Sequence, residues 1–463
     1  MAAIGGPLAQ GLATSDPDAA ASNASAPGAH FYTPAEANTL QRHSHGVDRW
    51  SVWMCNVPTK TPVSLTPQEA VNTLQKTVTP YFVWLSVNQY RPEFQAGGTV
   101  PVGTEEGDYM DTCVRQALDQ QAGTGASNFD GLAVIEDTPT PTGVANSGLR
   151  CTDGSGCQVE PKGQNLKGRR YMWLGAGDVV DTTNYGPPPE FGPASISTVA
   201  HELGHALDWP HSSSGVFEFT VGNVAQWGNL LAQIPGATKA FLGHVGGIMA
   251  RARPLAERYP TLSEEERKQL TTELQVLNLS IGFNQYDNPV DLMGAEGKTL
   301  SSSSTPPIIE PIAFDRYASG WIPASEAVVH PSGTRHVTLQ PVGTTGTQIV
   351  FVPTDRPDTF VTLEARTSTD WFRTTQGLGV LVHVIDQAPA ACGDETQPCV
   401  GEHRSQRSFP GAPNGVEHVL SVGGRLDLGG LHVSVTGRQG NGYLVTLSGG
   451  PIKLSPLAAP SGA

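Results

Sequence analysis

The stretch His201-Glu202-Leu203-Gly204-His205-Ala206-Leu207-Asp208-Trp209-Pro210-His211 constrains the fold of this chain more than any other. Its first half calls for a helix. Four residues advance about 400° along one, so His201 and His205 stand one turn apart on the same face. Its second half calls for a sharp exit, because Pro210 cannot continue a helix and pushes the residue before it out of the α region. Asp208 is among the few non-glycine residues that tolerate the left-handed conformation at a helix end. The chain therefore turns after Leu207 and brings His211 back toward the other two imidazoles. Three histidine ligands leave a fourth position for water, with Glu202 beside it, which distinguishes a catalytic zinc site from a closed structural one.

Upstream of this stretch, strands and helices alternate. Residues 50–57 read as a first strand, and Thr66 as the N-cap of a helix with Pro67 at its first position. Ala70, Leu74, Val78, Tyr81 and Phe82 follow at helical spacing. Strands are expected over 90–94, 131–135 and 170–175, a helix over 111–120, and turns over 138–156. The histidine helix is expected over 195–207, capped by Ser195 or Ser197. Residues 212–283 read as a helical insertion, with one helix near 240–258 and another starting at Ser263. There Ser263 and Glu266 form a capping-box pattern ahead of the apolar stripe Leu270, Leu274 and Leu277. A tight turn surrounds Met293, and 313–320 reads as a last helix.

After Pro323 the texture changes to short alternating runs, at 336–339, 348–352, 359–364, 379–385 and 431–435, with Gly, Pro and Asn between them. Such spacing indicates a β-sandwich. The expected architecture is thus an α/β (α+β) catalytic domain over 31–322 and an all-β sandwich over 323–463. Residues 1–30, rich in Ala, Ser, Gly, Pro and Asp, read as a disordered tail or the remnant of a leader. A chain of 463 residues has room for two or three such cores.

The 43 acidic residues outnumber the 28 basic ones, for a net charge of −15, which argues against a nucleic-acid partner and against a polybasic membrane anchor. No apolar run approaches the ~20 residues needed to span a bilayer. Cys151 and Cys157 bracket a short loop, as do Cys392 and Cys399, and Cys55 with Cys113 would complete an even set of disulfides. Reduced, buried thiols are the alternative. Disulfides imply a secreted, extracellular protein, although no basic n-region or long apolar h-region is evident at the N-terminus. A monomer is expected.

The pattern from His201 to His211 resembles the zinc-binding motif of the metzincin metalloproteases, H-E-x-x-H-x-x-G-x-x-H, with Asp208 where the family has glycine. Met293, within Asp291-Leu292-Met293-Gly294, is similar to the methionine of the family's Met-turn, a loop that passes beneath the zinc ligands. The resemblance implies a zincin-like catalytic domain followed by a β-rich accessory domain, as in secreted bacterial metalloproteases. It implies one catalytic Zn2+ held by His201, His205 and His211, with Glu202 as general base and Met293 supporting the site. It also implies a protein or peptide substrate. Several metzincin groups carry a tyrosine two residues after the methionine; here that position is Ala295, and Tyr286 is the candidate oxyanion stabiliser in its place. Cys55-Asn56-Val57-Pro58 bears a faint likeness to the cysteine-switch segment of some zymogens.

Other metal readings are weaker. Ca2+, an oxygen-ligand ion, has candidate ligands in Asp153 and in Asp287 with Asp291, although no loop matches an EF-hand. His43 and His45 form a His-x-His pair better read as solvated, and His244, His383 and His432 read as structural. Two other functions stay open: a surface adhesion or carbohydrate-binding protein with a vestigial zinc site, and a zinc hydrolase acting on a non-peptide amide or ester. Glu202 argues against the first, since a structural site has no use for a base.

Overall fold

The computed structural model describes residues 44–57, 62–101, 109–123, 129–138, 143–146, 170–179, 196–207, 209, 212–213, 224, 239–280, 288, 290–294, 310–355, 359–367, 378–386, 405–408 and 419–453. The expected N-terminal tail lies outside them, as do the Cys151–Cys157 and Cys392–Cys399 pairs.

Strand β1 (Gly46–Asn56) alternates its side chains between two buried layers, and that alternation organises the first half of the chain. Trp50, Val52 and Met54 point to one layer, Trp53 and Cys55 to the other. Neighbouring strands are β2 (Tyr90–Pro101), β3 (Gly131–Glu136), β4 (Gly143–Asn146) and β5 (Arg170–Gly175), in the order β2-β1-β3-β5-β4. All pair in parallel except β4, which runs antiparallel to β5 at the sheet's end. Parallel strands are covered on both faces, and β3 and β5 are accordingly buried along their whole length.

Helix α1 (Pro67–Leu85) makes the crossover from β1 to β2. Its start is the expected capping box. The Glu69 N–H donates to Thr66 Oγ1 at 3.2 Å, and a Glu69 carboxylate oxygen accepts from the Thr66 N–H at 2.9 Å. Ala70, Leu74, Val78, Tyr81, Phe82 and Leu85 then pack on the face that carries Trp50 and Met54. Helix α2 (Tyr109–Gly123) covers the opposite face through Cys113, Val114 and Ala117. A disulfide between Cys55 and Cys113, with Cα atoms 5.9 Å apart, ties α2 to β1. That bond rules out a switch role for Cys55. Residues 138–156 differ from expectation, because they contain β4.

After the short α3 (Ala176–Val179), helix α4 (Ile196–Ala206) packs on β4 and β5. Helices α5 (Lys239–Ala256) and α6 (Glu264–Ser280) form a pair with their own core, in which Ile248, Met249 and Ala252 meet Leu270, Leu274 and Leu277. The Ser263–Glu266 capping box opens α6, with the Ser263 N–H donating to Glu266 Oε2 at 2.8 Å.

The remaining strands form two sheets. One has seven strands: β6 (Ser212–Ser213), β12 (Ser405–Ser408), β11 (Gly379–Asp386), β10 (Thr359–Arg366), β9 (Ile349–Pro353) and β7 (Ala327–Val329) in that order, with β13 (Val419–Leu420) also pairing with β11. The other has four, in the order β14 (Arg425–Leu428), β15 (Leu431–Gln439), β16 (Gly442–Gly449) and β8 (Thr334–Leu339). Val350, Val361, Leu363 and Val382 of the first share one core with Leu339, Val433, Val445 and Leu447 of the second, so the two sheets stack. The other face of the seven-stranded sheet is covered by α7 (Ala313–Ala318), whose Phe314 and Tyr317 pack on Phe351 and Phe360. The class is mixed α/β, of the α+β kind. Among the described residues no helix is long and apolar enough to cross a membrane.

Candidate metal centre

Helix α4 buries Val199, Ala200, Leu203 and Ala206 in the core shared with α1, which fixes the helix's rotation. His201 and Glu202 are buried and His205 is half-buried. The imidazole centroids of His201 and His205 lie 4.6 Å apart with ring planes at 85°.

Each ring is held by a backbone carbonyl. His201 Nδ1 lies 2.8 Å from the Leu292 carbonyl oxygen, and His205 Nδ1 lies 2.8 Å from that of Trp209. A carbonyl oxygen only accepts, so in both rings Nδ1 is the donor, and Nε2 is the nitrogen a metal would take. Imidazole metal ligands are oriented by this kind of bond.

The helix ends as the sequence suggests. The Leu207 N–H donates to the Leu203 carbonyl at 3.0 Å, and the Trp209 N–H reaches back to the Gly204 carbonyl at 2.9 Å. The second bond spans one residue more than a helical turn, which closes the helix end. Asp208 and His211 lie outside the described residues, and so does Tyr286.

Met293 sits directly against the helix. A Cβ built on Gly204 would stand 2.6 Å from Met293 Sδ and 2.7 Å from Trp209 Cε3, so only glycine fits between the two histidines. The turn carrying Met293 is fastened on several sides. Asp291 Oδ1 accepts the Met293 N–H at 3.1 Å, and the Leu292 N–H donates to the Glu310 carbonyl at 3.1 Å. The Ser212 N–H donates to the Met293 carbonyl at 2.9 Å, and Ser212 Oγ accepts from Asn288 Nδ2 at 2.7 Å. Ser212 belongs to β6, so the residue following His211 is at once bound to this turn and to an edge of the seven-stranded sheet.

Sequence reasoning missed the charged groups behind the turn. Arg366 and Glu364 of β10, Arg316 of α7, and Glu310 and Asp291 are all buried. Arg366 lies 3.5 Å from Glu310 and 3.2 Å from Glu364, and Arg316 lies 3.8 Å from Glu364. Burial pushes the Asp291 carboxyl up to about 6, against the hydrogen bonds it receives from Ser212 and Met293. Burial raises Glu310 as well. Burial also works against the Arg366 guanidinium, yet Glu364, Glu310 and Asp291 hold its pKa above the ordinary value.

Among the described residues no group of three or more His, Cys, Asp or Glu is arranged to hold a metal ion. The calcium candidates Asp153 and Asp287 lie outside those residues, while Asp291 is spent on the Met293 N–H. His43 is likewise outside. His45 Nδ1 is 3.1 Å from Ser44 Oγ, His383 is buried with Nδ1 3.8 Å from Glu364 Oε1, and His432 is exposed beside Asp427. Two imidazoles on one helix face, with a third histidine nearby in sequence, are a donor set that suits Zn2+. Compared with models of protein families, with curated proteins and with solved structures, the chain matches none.

Proposed function

We propose that this chain is a secreted zinc endopeptidase of the zincin type, with His201, His205 and His211 holding one Zn2+ and Glu202 as general base. The observation that carries the reading is the pair of histidine rings one turn apart on α4, each presenting Nε2 because a backbone carbonyl holds its Nδ1 proton. When bound, the ion supplies Lewis-acid activation of a water molecule and of the scissile carbonyl. Glu202 accepts the proton that the attacking water loses, and returns it to the departing amine nitrogen. Met293 supports the ligands by filling the space under Gly204. Tyr286 is the candidate donor to the developing oxyanion.

Two further observations support a peptide substrate and an exported setting. The histidine helix packs beside β4, which among the described residues is the last strand of its sheet, and a terminal strand is where an extended peptide adds as one more. The Cys55–Cys113 disulfide suits an oxidising compartment. The test is casein cleavage by the purified chain with and without a chelator, together with metal analysis. One zinc per chain is expected, and Glu202→Ala should lose cleavage by about 10²-fold or more. Unchanged cleavage in that variant, or a wild type without stoichiometric zinc, sinks the reading.

A further inference from the structure

We propose that Arg366, on β10, is a positioning residue of the candidate metal centre, setting His201 through the backbone of the turn beneath α4. The proposal rests on the zinc reading above and adds to it a residue 165 positions after His201.

Arg366 ends a strand whose eight residues are all buried. Its Nη1 donates to the Val290 carbonyl at 3.0 Å and its Nη2 to the Pro311 carbonyl at 2.9 Å. Those two carbonyls belong to separate segments, 290–294 and 310–312, joined where the Leu292 N–H donates to the Glu310 carbonyl. The next link is the Leu292 carbonyl, which takes the Nδ1 proton of His201. One guanidinium therefore grips both walls of the turn whose carbonyl sets the ring's tautomer and direction.

Arg366 is itself fixed. Its Nη2 also donates to Glu364 Oε1 at 3.2 Å, and the other oxygen of Glu364 accepts the Ala313 N–H at 2.7 Å. Only a planar, permanently charged fork spans two carbonyls and a carboxylate at once; an ammonium is a point donor. A buried guanidinium with its carboxylates adds little net stability over an apolar core of the same volume. What it adds here is direction, because each donor fixes one named carbonyl. The same sheet also holds Ser212 through β6 and β12, next to His211. By this reading the β region is part of the scaffold of the metal site.

The test uses the full-length chain carrying Arg366→Lys or Arg366→Met, with Arg425→Met on the exposed side of β14 as a control. Zinc affinity is measured by competition with a chromogenic chelator, the site's geometry from the visible bands of the Co2+-loaded protein, and folding from metal-free thermal unfolding. Arg366→Lys, which keeps the buried cation, should fold, bind zinc about 10- to 100-fold more weakly and shift the Co2+ bands. Arg366→Met should change both in the same direction and further, and Arg425→Met should match wild type. Folded Arg366 variants with wild-type affinity and wild-type bands overturn the proposal even if their unfolding temperature falls, since that is the pattern of a purely structural residue. If Arg366→Met does not fold, Arg366→Lys decides. A wild type that takes up neither zinc nor Co2+ overturns the zinc reading itself, and this proposal with it.

Discussion

Gly204→Ala probes the contact between the histidine helix and the methionine beneath it. By helix propensity alone the change stabilises by up to about 1 kcal/mol. At this position the new Cβ meets Met293 Sδ at 2.6 Å and Trp209 Cε3 at 2.7 Å. Those contacts are about 1 Å inside the ~3.5–4.0 Å optimum. Neither neighbour has room to retreat. Met293 and Trp209 are 0% and 1% exposed, and the Trp209 indole packs on Phe82 and Trp321 while its N–H donates to Ser319 Oγ at 2.9 Å. The helix or the turn must therefore shift. Overpacking costs about 1–3 kcal/mol, which outweighs the propensity gain and leaves a net loss of about 1 kcal/mol. On the proposed zinc reading, a shift of about 1 Å beside His201 and His205 lowers cleavage by about 10²-fold, so cleavage should fall far more than stability does. Gly243→Ala is the matched control, since a Cβ there has nothing within 4 Å. It should gain up to about 1 kcal/mol and keep full activity. Urea unfolding followed by tryptophan fluorescence, with initial rates of peptide cleavage, reads both. Wild-type activity at equal or higher stability in Gly204→Ala would refute the packing argument.

Asp291→Asn tests the buried carboxyl behind the turn. Because its folded pKa of about 6 exceeds the ordinary 3.8, the folded chain keeps a proton that the unfolded chain releases between about pH 4 and 6. Stability from this group is therefore full below about pH 4 and lost as pH rises through about 6. The variant, neutral at every pH, should match wild type below pH 4 and exceed it at pH 7 by up to about 3 kcal/mol in thermal unfolding; a gap that does not change with pH contradicts this. Asp48→Ala leaves Arg170 buried without its carboxylate and removes the acceptor of the Trp50 and Tyr90 side chains. It should cost about 3–5 kcal/mol by urea unfolding, and an unchanged midpoint would show that the pair is dispensable. Replacing Cys55 and Cys113 together by alanine opens a loop of 58 residues' separation and should cost about 4 kcal/mol. A cost below about 1 kcal/mol would contradict the loop-entropy account.

Features written in a few consecutive residues were legible. Thr66-Pro67-Gln68-Glu69 and Ser263 with Glu266 each form a capping box because both partners lie within one turn. The apolar runs that became β3 and β5, and the spacing of His201 and His205 on α4, were equally local. Strand β4 was not legible, because four residues, Gly143 to Asn146, hold their place by pairing with β5 rather than by any pattern of their own. Nor was β6, two serines that join a sheet whose other strands begin more than 100 residues later. At the candidate site the shared helix face of His201 and His205 was legible, while the carbonyls of Leu292 and Trp209 that orient their rings were not. Every residue offers a carbonyl, so its use leaves no mark on the sequence.

The buried charges were hidden for a different reason. Along β10, Val361, Leu363 and Ala365 enter the core between the two sheets, which leaves Phe360, Thr362, Glu364 and Arg366 on the opposite face. A period-2 strand with Glu and Arg on one side reads as half-solvated. That face is instead roofed by α7 and by the turn around Met293, elements from before the change of texture near Pro323. The groups that meet there are Asp291, Glu310 and Glu364, the guanidiniums of Arg316 and Arg366, and the His383 imidazole, whose Nδ1 is 3.8 Å from Glu364 Oε1. Burial disfavours a bare carboxylate, and it raises Asp291 and Glu310 although the facing guanidiniums lower them. The turn under the histidine helix is thus fastened by groups that neither its own sequence nor the β region's alternation would mark as partners.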